Sequence, residues 1–213
     1  MFFFVALGVL WLIHGYVAWR TIPAMGLSFS YTLLVYITVF IFSLLPIVPI
    51  VLRISGTESK IIDKFSFLGY TSLGFFTLSF IFLFTKDFLI QFLSIISNLV
   101  DTEQPIDNSK RDFIKKSITL GIIGISGTAT GFGFYNSRKG PSVIKHDIFL
   151  ESLPESFNNF TIAQISDLHI GPTIKRPYVE NVLDKISIHN PDLIAVTGDL
   201  VDGSVQYLRS DLA

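Results

Sequence analysis

The residues of this chain that could do chemistry fall in two short motifs. One is Asp167-Leu168-His169, closed by Ile170-Gly171. The other is Gly198-Asp199-Leu200-Val201-Asp202-Gly203, which begins after a second apolar run. Two residues apart on an extended loop, a carboxylate and an imidazole can point to the same side and chelate one cation. That mix of hard oxygen and borderline nitrogen suits Mn, Fe or Zn. The two oxygens of a carboxylate such as Asp199 can each take one metal, at the ~3.5–4 Å separation of dinuclear hydrolases. Gly198 allows close backbone approach beside it. Asp202 reads either as a further metal ligand or as a group that caps its loop or orients His169 from behind.

For these side chains to meet, the segments that carry them must run side by side. Residues 161–165 form a β-rich apolar run that stops at the first motif, and residues 192–197 form another that stops at the second. Between them, residues 176–190 have apolar positions at Val179, Val182, Leu183 and Ile186, a helical spacing that Pro191 ends. Strand, loop, helix, strand, loop is a βαβ unit, which implies a parallel pair with a right-handed crossover. Both motifs then lie at the carboxyl ends of neighbouring strands, where open α/β sheets hold their ligands. Upstream, residues 143–150 read as one more strand, followed by turns around Pro154 and Asn158-Asn159.

Residues 164–171 (Gln-Ile-Ser-Asp-Leu-His-Ile-Gly) and 191–203 (Pro-Asp-Leu-Ile-Ala-Val-Thr-Gly-Asp-Leu-Val-Asp-Gly) resemble the calcineurin-like metallophosphoesterase family, in particular its membrane-anchored bacterial branch. The resemblance covers about residues 160–213. It implies an α/β metallophosphoesterase sandwich, of which the βαβ unit is the start, and a site for two divalent metal ions. Asp167 and His169 would bind one ion and Asp199 would bridge both. The family's later Gly-Asn-His-Glu/Asp and Gly-His-x-His motifs are not in this sequence. Its remaining histidines are His14, His146 and His189, none in such a context. The expectation is therefore an N-terminal portion of the enzyme, with a second helix beginning at residues 208–213.

The first 135 residues are of another kind. The chain as a whole is 50% hydrophobic and 15% charged, with 21 phenylalanines and a mean hydropathy of +0.56. Average soluble domains carry about a quarter charged residues. Residues 1–19, 27–52, 65–84 and 117–135 contain no Asp, Glu, Lys or Arg, and each is about the 20 residues that cross a hydrocarbon core. The expected organisation is a transmembrane domain of four to five helices over 1–135, a linker over 136–142 and an incomplete phosphoesterase domain over 143–213. The first run has no basic start and no small-residue cleavage site, so it reads as a span that stays.

Residues 88–100 are thirteen uncharged residues set off only by Thr85, Lys86 and Asp87. They read as a short fifth span or an interfacial segment. Counting Lys and Arg on the two sides favours five spans and an external C-terminal part, whereas four spans divide the basic residues evenly. Ser109-Lys110-Arg111-Asp112-Phe113-Ile114-Lys115 resembles a twin-arginine export signal. The simpler reading of the same residues, and the favoured one, is a basic cluster that holds a helix end on the cytoplasmic side; either reading puts residues after Tyr135 outside. Pro46 and Pro49 should kink the second span. His14 reads as a packed residue, and the Gly127-x-x-x-Gly131 spacing as close helix packing within the chain.

Net charge is −1, which implies no basic surface for nucleic acid, and the absence of cysteine excludes thiolate chemistry. Three functional classes remain. The first is a membrane-anchored, metal-dependent phosphoesterase acting on phosphomono- or diesters, with the lipid bilayer as partner and a phospholipid or lipid-linked phosphate as a candidate substrate. The second is an inert truncated product or membrane scaffold. A transporter or channel is disfavoured by the absence of charge inside every span.

Overall fold

A computed structural model describes residues 1–99 and 108–212. The chain divides into two compact units, Met1–Gly56 with Phe65–Phe134, and Thr57–Lys64 with Tyr135–Ala213. The first unit is helical: α1 (Phe2–Thr21), α2 (Phe29–Leu44), α3 (Ile47–Ile54), α4 (Lys60–Leu99) and α5 (Asn108–Arg138). The first residues of α4 and the last of α5 belong to the second unit.

Pro46 acts as the sequence implies. It lacks an N–H and separates α2 from α3 at Leu45, while Pro49 is buried inside α3. The break is covered by α4 at Gly69, where a β-carbon would fall 2.6 Å from the Leu45 carbonyl oxygen. Four stretches, Phe4–Met25, Phe29–Ile54, Lys60–Ile96 and Ser109–Arg138, are long and apolar enough to cross a membrane.

One expectation is corrected here. Residues 88–99 do not form a separate element: α4 runs unbroken through Thr85, Lys86 and Asp87 for 40 residues, about 60 Å. The reason is side-chain pairing. Asp87 accepts from Arg20 and, at 2.5 Å, from Tyr16 Oη, while Lys86 Nζ donates to Thr119 Oγ1 at 3.2 Å. Charges that look like a turn in sequence are thus satisfied between helices, and no Gly or Pro stands there to break α4. Val100, the last residue of the proposed fifth span, lies outside the described residues.

Burial in this unit is inverted relative to a soluble protein. Ser66, Ser79 and Ser126 are fully buried, whereas Phe29 is 83% and Leu12 71% exposed. Hydroxyls such as Thr21, Ser43 and Thr119 donate to carbonyls of their own helices, so they need no water. A small core of Val17, Phe76 and Leu83 holds the centre. His14 is buried with its ring 4.2 Å from that of Phe76 and Nδ1 2.8 Å from the Leu10 carbonyl oxygen. Of the α5 glycines, a β-carbon on Gly127 would meet Phe75 at 3.9 Å, whereas one on Gly131 would meet nothing within 4 Å among the described residues. Close packing is thus limited to one glycine of the pair.

In the second unit, β1 (Ile162–Ile165) and β2 (Leu193–Val196) form a parallel pair in register Ile162 to Leu193 through Ile165 to Val196. Helix α6 (Arg176–His189) joins them, and α7 (Val205–Leu212) follows β2. Asn190, left-handed at φ +43°, ends α6 as a C-cap. Arg176 pairs with Glu180 one turn on at 2.7 Å, and that carboxylate holds the guanidinium above its usual range. The buried apolar residues of this unit, among those described, are Ile62, Ile170, Val182 and Leu208.

The strand expected over residues 143–150 is absent. The segment is irregular and exposed, with Phe149 92% accessible. A strand exists by virtue of a hydrogen-bonding neighbour, and among the described residues this sheet has two strands only. Helix α5 continues to Arg138, whose guanidinium donates to the Thr173 carbonyl at 3.2 Å.

Candidate metal centre

Beyond the ends of β1 and β2 the two segments stay laced by backbone hydrogen bonds. Asp167 N–H donates to Gly198 O at 3.2 Å and His169 N–H to Asp199 O at 3.0 Å. Ile170 N–H donates to Leu200 O, and Asp202 N–H donates back to Ile170 O, both at 2.8 Å. An isolated bridge between Ile170 and Val201 completes the lacing, with Ile170 buried beneath it. Two loops that could splay apart are held as one platform.

That platform holds its functional residues in an unusual backbone state. Asp167, His169 and Asp199 have φ of +56°, +47° and +41°, and Gly198 lies at +132°. The left-handed region costs a non-glycine residue about 1–2 kcal/mol, and such strain persists where surrounding structure over-determines it. Here the lacing does so, and the result is convergence. One donor atom from each of Asp167, His169 and Asp199 lies within 4.8 Å of the others, all three side chains being exposed. Donors to one Zn-sized ion sit ~2.0–2.2 Å from it, so two carboxylates and an imidazole at this spacing fit a divalent cation after small inward movement.

Asp202 has a different place from the other three. Its Oδ2 lies 2.9 Å from His169 Nδ1, while His169 Nε2 faces Asp167 Oδ1 at 4.0 Å. A carboxylate only accepts, so Nδ1 carries a ring proton, and Nε2 is the ring nitrogen on the Asp167 side. Of the two roles read for Asp202, the geometry matches the orienting one. His189 ends α6 and His146 lies in the irregular segment, neither with this group. The left-handed states were invisible in sequence, because Asp and His adopt positive φ too seldom for their presence to mark a position. Gly198 was the one signal.

Residues 160–212 match the profile of the family described as "Calcineurin-like phosphoesterase". The likeness to this profile is confined to the polar half. Among curated proteins, the chain is 29% identical over 146 residues to "Transmembrane protein with metallophosphoesterase domain" of Danio rerio, covering 68% of this chain and 32% of the relative. The Bos taurus protein of the same description is 23% identical, covering 70% and 33%. "Uncharacterized metallophosphoesterase YkuE" of Bacillus subtilis is 29% identical over 46% of this chain and 35% of its own. The chain thus spans about a third of the length of these curated relatives. The 146-residue alignment is longer than the polar half, so the likeness to a transmembrane protein reaches into the helical half. No solved structure matches.

Proposed function

We propose that the chain is a membrane-anchored, divalent-metal-dependent phosphoesterase, with a phosphomono- or diester substrate presented beside the bilayer. The observation that carries this reading is the convergence of Asp167, His169 and Asp199 at two laced β-tips. These three would hold an ion, Asp199 would be shared with a second, and Asp202 would keep the His169 ring in place through Nδ1. Bound ions would supply Lewis acidity and charge neutralisation to the phosphoryl oxygens. Manganese, iron or zinc all suit one nitrogen and several oxygens, and a phospholipid or lipid-linked phosphate suits a site next to lipid.

The apolar helices are read as four crossings. An unbroken α4 supports that number, and so does the grouping of Thr57–Lys64 with the polar unit, since both stretches of that unit must then share one side. Lys110, Arg111, Lys115 and Lys116 at the start of α5 favour the cytoplasmic side for that end, leaving residues after Tyr135 outside. A membrane-impermeant maleimide should label Lys60→Cys and Ser210→Cys from the same, external face. Labelling from opposite faces would refute the four-crossing arrangement.

Activity is tested on the full chain in detergent with Mn and bis-p-nitrophenyl phosphate. Turnover that falls at least ~100-fold in Asp199→Asn is the expected result. A second reading, a scaffold that binds an ion without turnover, is favoured by the small sheet. It would stand if the chain bound Mn and hydrolysed nothing.

A further inference from the structure

The segment between α3 and α4 belongs to the polar unit although it lies far from it in sequence. Glu58 accounts for much of this. Its Oε1 accepts the Ser204 N–H at 3.1 Å, and its Oε2 accepts the Ser204 hydroxyl. Ser204 Oγ in turn accepts the Tyr207 N–H at 3.2 Å, the geometry of a cap at the start of α7. Five residues after Glu58, the buried Asp63 accepts from Tyr207 Oη at 2.9 Å and pairs with Lys175 Nζ at 2.8 Å. The two carboxylates therefore engage the same turn-and-helix in different places, Glu58 at its start and Asp63 one turn further on.

What lies just before that start is the arm of the metal centre. Ser204 is two residues past Asp202, and Gly203 between them is packed so closely that a β-carbon would lie 3.0 Å from Glu58 Oε1. The 202–204 turn is thus pinned on both sides. Asp202 N–H is bound to Ile170 O on one side, and Ser204 is held by Glu58 on the other. With both ends fixed, the Asp202 carboxylate stays against His169 Nδ1. Release of the Glu58 end would free the turn to rotate about Gly203 and Asp202 to leave the imidazole.

We propose that Glu58, on the loop between two apolar helices, is a positioning residue for the metal centre, acting through Ser204 and Asp202 to set the His169 ring. The proposal rests on the metal-centre reading for its consequence in ion binding, but its effect on the ring does not need a metal. Groups that orient a ligating histidine typically matter about 10–100-fold in metal affinity, and because Glu58 stands one link further out, about tenfold is expected.

The test uses the full chain in detergent, with 15N-labelled histidine. In Glu58→Ala, the metal-free His169 nitrogens should lose the fixed Nδ1–H signature and move toward tautomer averaging, and the Mn affinity measured by electron paramagnetic resonance should fall about tenfold. Glu58→Gln, which keeps an acceptor oxygen for Ser204 N–H, should recover most of both. Asp63→Asn loosens the neighbouring contact, made from the first turn of α4, and should leave the ring signature unchanged. Unchanged His169 signals and Mn affinity within about twofold in Glu58→Ala would overturn the proposal. So would an equal effect from Asp63→Asn, since that would reflect docking of the loop in general. If the unaltered chain binds no Mn, the metal reading falls, while the metal-free ring signals still decide the role of Glu58.

Discussion

The helical unit and the polar unit solve the same problem, hiding what the surroundings will not accept, with opposite residues. The first buries Ser66, Ser79 and Ser126 and turns Phe29 and Leu12 outward; the second buries Ile170, Val182 and Leu208 and leaves Asp167 and Asp199 exposed. Small residues let helices approach closely, and hydroxyls such as Thr21, Ser43 and Thr119 donate to carbonyls of their own helices. In water the driving force is apolar burial, and among the described residues the polar unit buries four aliphatic side chains, Ile62, Ile170, Val182 and Leu208. That unit also carries three left-handed non-glycine residues at its candidate metal centre.

The largest test of this contrast is Leu208→Ala. Removing a fully buried leucine costs about 2–5 kcal/mol, a large part of what so small a core can supply. Hydrogen exchange should show the amides of β1, β2 and α6 losing protection while those of α1 and α4 keep theirs. Loss of protection in both units would mean that the two do not fold independently.

A smaller effect of opposite sign sharpens the comparison. Asp199→Gly removes a side chain from a positive-φ position and should stabilise the metal-free polar unit by about 1 kcal/mol, while Mn affinity drops by at least about tenfold. The smallest change, Asn190→Gly, relieves the same backbone state at the α6 C-cap. It should gain a few tenths of a kcal/mol at most and leave Mn affinity untouched. Thermal melting with and without Mn separates these cases. If Asp199→Gly destabilises the metal-free chain, the strain assigned to the β-tips is not there.

Much of this arrangement is legible in the sequence, and the reasons are local. Periodicity at Val179, Val182 and Ile186 together with Pro191 marks α6, and Asn190 takes the cap. Apolar runs that stop at Asp167 and Asp199 mark the two tips. Charge-free runs mark the long helices, and Pro46 marks the break between α2 and α3. What escaped depends on partners distant in the chain. Lys86 and Asp87 imitate a turn until Arg20, Tyr16 and Thr119 are seen to satisfy them. Residues 143–150 look like a strand but have no neighbour to pair with among the described residues. Nothing in Glu58 or Asp63 announces Ser204, Tyr207 or Lys175, because no short-range rule links positions about 146 residues apart.

That long reach has a consequence for how the molecule is made and cut. During synthesis, Glu58 and the first turn of α4 with Asp63 leave the ribosome before the rest of α4 and α5, and must wait for Lys175, Ser204 and Tyr207 to follow. A fragment started at Asn136 to obtain a soluble catalytic piece would omit them altogether. Ser204 would then lose its carboxylate partner and Lys175 one of its two, keeping only Asp211, so the smallest faithful version of the candidate metal centre includes a stretch from between the apolar helices.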